Sequence, residues 1–420
     1  MKLKKTFVPF VCTAILLSMP ACAVPGAGQS GVSGSAENNV SSAAVSRQGS
    51  STKSSAAVLS SMLVSSSKMG SNESGQNTVG KWTEKASMHT TRYDFSAKTV
   101  NGQIYAIGGE NQNGFLSSVE AYNLQTDIWK TVQPMSIPRS DTQTIVFDGK
   151  IYVFGGYISS SNEPVCADSA ERYDPKTNYW ETLKSMKQGR VYHRVTVCNG
   201  KLYVIGGSED GTVLPSVESY DPQTEKWTEE ASMPVARMHF GVKTIGGKIY
   251  VFGGSGPLSA LDSVEMYDPS KKQWTEKASM KTPRFSFQTE TVNEKIYVIG
   301  GIDKAGNLLS SVEEYAPSLN RWTEKSALHT PRSWFQTTVV DGKIYAVGGL
   351  KGFYYQSKDF ISSLEGYNPR TDQWTEYAPI SPIRCMFQTV AADGGIYAIG
   401  GEIAEKKGIS SVEKYTVIGK

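Results

Sequence analysis

Cysteine is scarce in this chain of 420 residues: there are five, and two of them fall within the first 22 positions. The remaining Cys166, Cys198 and Cys385 are odd in number and form no disulfide framework. Charge of one sign is also missing. The net charge is +3, and beyond position 80 the chain holds 37 basic and 38 acidic residues. Such a balance builds no phosphate-binding surface, so nucleic acid is excluded as a partner. Long apolar runs are absent apart from Phe7 to Leu17, which is too short to span a bilayer comfortably. No GxSxG, HExxH, Walker or CxxC signature occurs.

The first 80 residues are set apart from the rest. "MKLKKTFVPFVCTAILLSMPAC" has the basic start and apolar centre of a secretory signal. Its end admits two readings. Ala21–Cys22 resembles a bacterial lipobox, with Cys22 as the lipidated residue; "ACA" fits an ordinary signal peptidase cutting before Val24. We favour lipidation, with a signal peptide over 1–21. Residues 22–80 are rich in Ser, Ala and Gly and bury too little apolar surface to offset their ordering entropy, so a flexible tether is expected.

From residue 81 onward one motif recurs. "GKIYVFGGS" at 247–255 has six counterparts, among them "GQIYAIGGE" at 102–110 and "GGIYAIGGE" at 394–402. Tryptophans at 82, 129, 180, 227, 274, 322 and 374 keep step with the glycine pairs. Each unit reads as four short strands of period two, as in "RFSFQTETV", "KIYVIGG", "SVEEYAP" and "RWTEKSAL", here lettered A to D. Turn signals such as "DG" between A and B, and "DPQTE" between C and D, separate them. The last unit ends after strand C, while "KWTEKASM" at 81–88 is a strand D with nothing before it. The N-terminal strand is therefore expected to complete the last unit and remove an exposed edge.

This pattern of Arg, Ile-Tyr, Gly-Gly, Val-Glu-x-Tyr and Trp resembles the kelch repeat of β-propellers over residues 81–415. The resemblance implies an all-β, seven-bladed propeller over 81–416, closed by its N-terminal outer strand, and implies little about activity, since propellers host many functions. Seven Arg at the start of strand A (Arg92 to Arg384) and seven Glu on strand C (Glu120 to Glu413) read as structural pairs, because a charge repeated in every blade belongs to the scaffold.

Function is expected where the units differ. The D–A and B–C connections share one face, and the longest B–C loops are "YISSSNEPVCADSA" in blade 2 and "LKGFYYQSKDFIS" in blade 6. Trp334, the only Trp outside the repeat position, is expected to join Tyr354 and Tyr355 in an aromatic platform, with Phe353 and Phe360 beneath as the core of the loop. Asp94 and Asp141 occupy one strand-A position in adjacent blades and form a candidate carboxylate pair. Tyr192, His193 and His239 with a Cys resemble the copper-radical oxidases of the galactose oxidase type, although the extra C-terminal domain and the Tyr–Cys partnership of those enzymes have no counterpart here. Bacterial sialate mutarotases, which are also kelch propellers, keep a carbohydrate-active enzyme as an alternative. The reading adopted is an exported, lipid-anchored, monomeric propeller that binds a glycan or a protein on its variable face without a metal or cofactor. A structural adaptor is the third class.

Overall fold

The computed structural model describes residues 80–160, 163–352, 360–403 and 407–417. The signal segment and Cys22, and Phe353, Tyr354 and Tyr355 of the blade 6 loop, lie outside the described residues.

Seven four-stranded antiparallel sheets follow one another along the chain. Blade 1 comprises Ser96–Val100, Gln103–Ile107, Val119–Asn123 and Ile128–Val132 as strands A to D. The same order recurs in every blade, and blade 7 takes its strand D from the other end of the chain. There Trp82–Lys85 pairs antiparallel with Val412–Thr416, with Trp82 opposite Tyr415. The strand expected to close the ring does so. The seven A strands neighbour one another in a closed circle around the axis, from blade 1 to blade 2 and onward until blade 7 meets blade 1 again.

Local chemistry explains the blade. Each A–B hairpin turns on two residues that both have positive φ, such as Asn101 and Gly102 or Asp341 and Gly342, the type I′ geometry that matches strand twist. Strand B is an almost fully buried run, as in Ile151, Tyr152, Val153 and Phe154, flanked by blades on both faces. The wedge between blades is filled by Tyr of strand C and Trp of strand D, for example Tyr173 and Trp180 with ring centroids 4.9 Å apart. Each repeat Trp also donates its indole N–H to a backbone carbonyl just past strand D of the preceding blade. Trp180 reaches Gln133 O at 2.8 Å, and Trp82 reaches Ala378 O at 2.7 Å across the closing seam.

All seven Arg–Glu pairs form. Arg284 and Glu313 meet at 2.7 Å, Arg92 and Glu120 at 2.9 Å, and both Arg side chains are fully buried. Arg92 also donates to the carbonyls of Gly108 and Ser118, while the carboxylate of Glu120 accepts the backbone N–H of His89 in the loop entering the blade. One ion pair thus ties strands A, B and C and the preceding loop together. The glycine pair is required next to it. A Cβ at Gly155 would stand 2.4 Å from the carbonyl oxygen of Arg190 in the next blade, and Gly156 has φ +92° and donates its N–H to that same oxygen at 3.0 Å.

Candidate functional site

The residue after each repeat Arg forms a bridge to the first residue of the B–C loop: Tyr93 to Glu110, Ser140 to Tyr157, Val191 to Ser208, and likewise around the ring to Cys385 and Glu402. Held there, the chain must turn sharply to enter strand A. The turn is made by the next residue, which in every blade is left-handed: Asp94, Asp141, Tyr192, His239, Ser286, Trp334 and Met386, with φ between 47° and 54°. Backbone hydrogen bonds link neighbours in this ring, from Asp94 N–H to Met386 O, Asp141 N–H to Asp94 O, His239 N–H to Tyr192 O and Ser286 N–H to His239 O. The seven residues form the mouth of the central channel on the face that carries the D–A and B–C loops. None of them is glycine, although glycine would adopt this backbone without strain and a non-glycine residue costs roughly 1 kcal/mol or more there.

The mouth has two halves. On blades 3, 4 and 6 it is aromatic: Tyr192 lies over His239 with ring centroids 4.3 Å apart, and His239 meets Trp334 edge-on at 5.2 Å. Ser286 of blade 5 is small enough to let that contact pass over it. Tyr157 of the blade 2 loop extends the arc, with its ring 6.0 Å from that of Tyr192. On blades 1 and 2 the mouth is acidic, with Glu402 of the blade 7 loop nearby. Burial raises the carboxyl of Asp94 well above its usual range, reinforced by Asp141, Glu402 and Glu110. Asp141 is pushed up to about 7, by burial first and then by Glu110. The two line one cavity of about 160 Å³ that continues down the channel past Ser96, Lys98 and Thr144.

Two atoms at the mouth have no hydrogen-bond partner among the described residues. They are Nε2 of His239, on a residue 6% exposed, and Oγ of Ser286, on a residue 8% exposed. Burial, and then the Arg194 guanidinium, lower the His239 imidazole to about 3, so it stays neutral. An unpaired buried polar atom costs about 1–3 kcal/mol, and a bound group that pairs with it recovers that cost.

The family described as the KLHDC2/KLHL20/DRC7 Kelch-repeats domain matches over residues 66–207, 142–349 and 192–401. The chain belongs to the Kelch-repeat family. Beta-scruin of Limulus polyphemus is 34% identical over 132 residues, 30% of this chain and 14% of that protein. Kelch-like protein 15 of Danio rerio is 33% identical over 137 residues, 30% of this chain and 23% of its own. The matched stretch is thus less than a quarter of these relatives' length. Among solved structures, YjhT aligns with a TM-score of 0.56 at 17% identity, covering 70% of this chain and 99% of that one. A fungal alcohol oxidase in complex with copper aligns at 0.67 and 20% identity, covering 81% and 76%. At such identities the two structures share the fold alone.

Several residues singled out from the sequence fall elsewhere in this Kelch propeller. Trp334 is half-buried at the mouth, and its described ring neighbour is His239 of blade 4, which the sequence reading had not joined to it. Phe360 is half-buried and bridges Leu350 at the base of the blade 6 loop. The Tyr-His-His set is divided. Tyr192 and His239 share the mouth, whereas His193 stands where most blades have Phe and is fully buried between blades, its Cε1 2.8 Å from where a Cβ on Gly155 would lie. Among the described residues no three His, Cys, Asp or Glu side chains converge on a point that a metal could occupy. Cys198 and Cys385 are buried free thiols, Cys166 is half-buried, and burial raises the thiol of Cys385. Arg384, like the other repeat Arg, is committed to its strand-C partner Glu413.

The sequence reading missed the left-handed ring as a unit. Its signal was nevertheless present: with the seven repeat Arg aligned, the second residue onward reads Asp, Asp, Tyr, His, Ser, Trp, Met.

Proposed function

We propose that the protein is a protein-binding Kelch propeller that receives a basic segment of its partner at the channel mouth. The observation that carries this reading is the juxtaposition, in one ring, of the Tyr192–His239–Trp334 arc with the Asp94–Asp141 pair. Aromatic faces attract a cation through the ring quadrupole, and adjacent carboxyls gain stability by ionising beside it. His239 Nε2 and Ser286 Oγ supply hydrogen-bonding positions for an incoming Lys or Arg side chain or the backbone around it. The Kelch-like relatives support a protein partner.

A lysine-rich peptide and its glutamate-substituted counterpart, titrated onto the immobilised propeller, test this. The basic peptide should bind at least about tenfold more tightly, and Trp334→Ala combined with Asp141→Asn should abolish the difference. Equal binding of both peptides, or preference for the acidic one, removes the reading. A glycan is the second reading, favoured by the same aromatic arc, since a sugar ring stacks on such faces while carboxyls accept from its hydroxyls. Binding to a glycan array by wild-type protein that ignores the basic peptide would select it.

We infer further, from the sequence of the first 80 residues, that the chain is exported and that lipid on Cys22 holds the propeller at a membrane surface through the 22–80 tether. Mass spectrometry of the mature chain should find a diacylated Cys22. A chain beginning at unmodified Val24 ends this reading.

A further inference from the structure

The face opposite the mouth carries the A–B and C–D turns, and one residue of each C–D turn ties neighbouring blades together. It stands two residues before the repeat Trp and is left-handed in blades 1 to 6. In four of these blades it is Asp or Asn. Asp127, Asn178, Asn320 and Asp372 each accept from the hydroxyl of a strand-C Tyr at 2.6–2.8 Å. Each also accepts a backbone N–H from just past strand D of the preceding blade, at 2.9–3.0 Å. Blades 3 and 4 depart from this rule. Glu225 of blade 3 accepts from Arg172 at 3.1 Å, and the hydroxyl of Tyr220 is left without a partner among the described residues. In blade 4 the position is Lys272, whose ammonium cannot accept. Tyr267 instead turns its hydroxyl to Glu230 of blade 3 at 2.6 Å, and Ser219 donates to the other carboxylate oxygen at 2.7 Å.

A cavity of about 300 Å³ opens at this irregular seam between blades 3 and 4, at the lower end of the range of small-molecule sites, roughly 300–1,000 Å³. Its lining is rich in unspent donors. Tyr203 is only 3% exposed, yet its hydroxyl makes no hydrogen bond among the described residues. Lys272 has neither an ion pair nor a hydrogen bond there. Lys201 faces Asp221 at 4.0 Å, beyond hydrogen-bond reach, and Asn199 adds an amide. The carboxylate of the lining, Glu230, already has both oxygens engaged. Pro269 and the ring of Tyr203 give the cavity an apolar wall.

We propose that this cavity binds a small hydroxylated carboxylate of the size of a sugar acid. Two ammoniums against one engaged carboxylate leave a single positive charge to balance, which suits a monoanion. Its carboxylate pairs with Lys272 and Lys201, its hydroxyls accept from Tyr203 and Asn199, and its carbon skeleton rests on Pro269. The site lies on the face away from the mouth and does not depend on what the mouth binds.

The test is calorimetric titration of the full chain with sodium glucuronate, with glucose and sodium acetate as comparisons at the same ionic strength. Glucuronate should bind saturably and at least about tenfold more tightly than either, because both its charge and its hydroxyls are read. Tyr203→Phe removes only the hydroxyl and should weaken glucuronate about fivefold. Lys272→Asn restores the acceptor that the regular seams have. It should abolish glucuronate binding and raise the unfolding temperature by about 2 °C. Failure of glucuronate to saturate, equal binding of glucose or acetate, or an unchanged affinity in Lys272→Asn overturns the site.

Discussion

Arg332 and Trp334 are two residues apart and belong to different molecules in all but the covalent sense. Arg332 is one of seven identical residues, fully buried, hydrogen-bonded to Gly348, Ser363 and Glu365 of its own blade. Trp334 is one of seven residues of six kinds, left-handed in backbone, turned toward the axis and in contact with another blade. The step from one to the other is the step from the inside of a blade to the mouth of the channel. Repetition marks the first region because every blade solves the same packing problem. The second escapes repetition because the seven positions face one another rather than their own blades, and what they form together is a single site.

The sharpest way to break this comparison is to attack the scaffold and see whether the whole ring responds. Deleting Trp82–Lys85 removes the outer strand of blade 7, together with the Trp82 bond to Ala378 and the Trp82–Tyr415 contact at 5.4 Å. Loss of the Trp alone is worth about 3–5 kcal/mol, and an open edge adds to it. A large drop in unfolding temperature is expected, and unchanged calorimetry would contradict the closure. Glu365→Ala, which leaves Arg332 buried without its carboxylate, should cost about 3–5 kcal/mol in denaturant unfolding. A cost near zero would mean that the repeated pairs are ornamental.

At the mouth the expected effects are smaller and of another kind. Asp94 and Asp141 bind protons more tightly in the folded protein than in the unfolded chain, where carboxyls titrate near 4. Their contribution to stability is therefore fully present below about 4 and is lost as pH rises through their raised folded values, about 7 for Asp141. Buried neutral His193 and His239 act in the opposite sense, losing stability as pH falls below about 6.5. Asp94→Asn with Asp141→Asn should remove the first trend, so that the advantage of the variant over wild type grows between pH 4 and 7. A constant difference across that range would mean that the two carboxyls ionise normally. Smallest of all, Trp334→Gly should alter stability by less than about 1 kcal/mol while weakening the basic peptide, because it trades half-buried contact for relief of a left-handed backbone.

The contrast between Arg332 and Trp334 also explains what could be read in advance. Strand order, the closing strand at Trp82 and the Arg–Glu ties were legible, since each rests on residues that recur at fixed spacing. The mouth was legible only in part. Asp94 and Asp141 share a column in adjacent blades and were paired on that ground. His239 and Trp334 share the same column two blades apart, and nothing in linear order says that a serine between them lets their rings meet. His193 was misleading for the converse reason: it follows Tyr192 directly, yet strand alternation sends it into the interblade core.

The measurement that bears most directly on the division between scaffold and mouth is a sevenfold replacement. Glycine is the residue best suited to every left-handed position in the ring, so changing Asp94, Asp141, Tyr192, His239, Ser286, Trp334 and Met386 to Gly removes the whole mouth without asking the backbone to move. The variant should fold, with an unfolding temperature within a few degrees of wild type, and should have lost preferential binding of the basic peptide. A variant that unfolds would show that these side chains hold the blades together, and one that folds and still prefers the basic peptide would show that recognition lies away from the channel mouth.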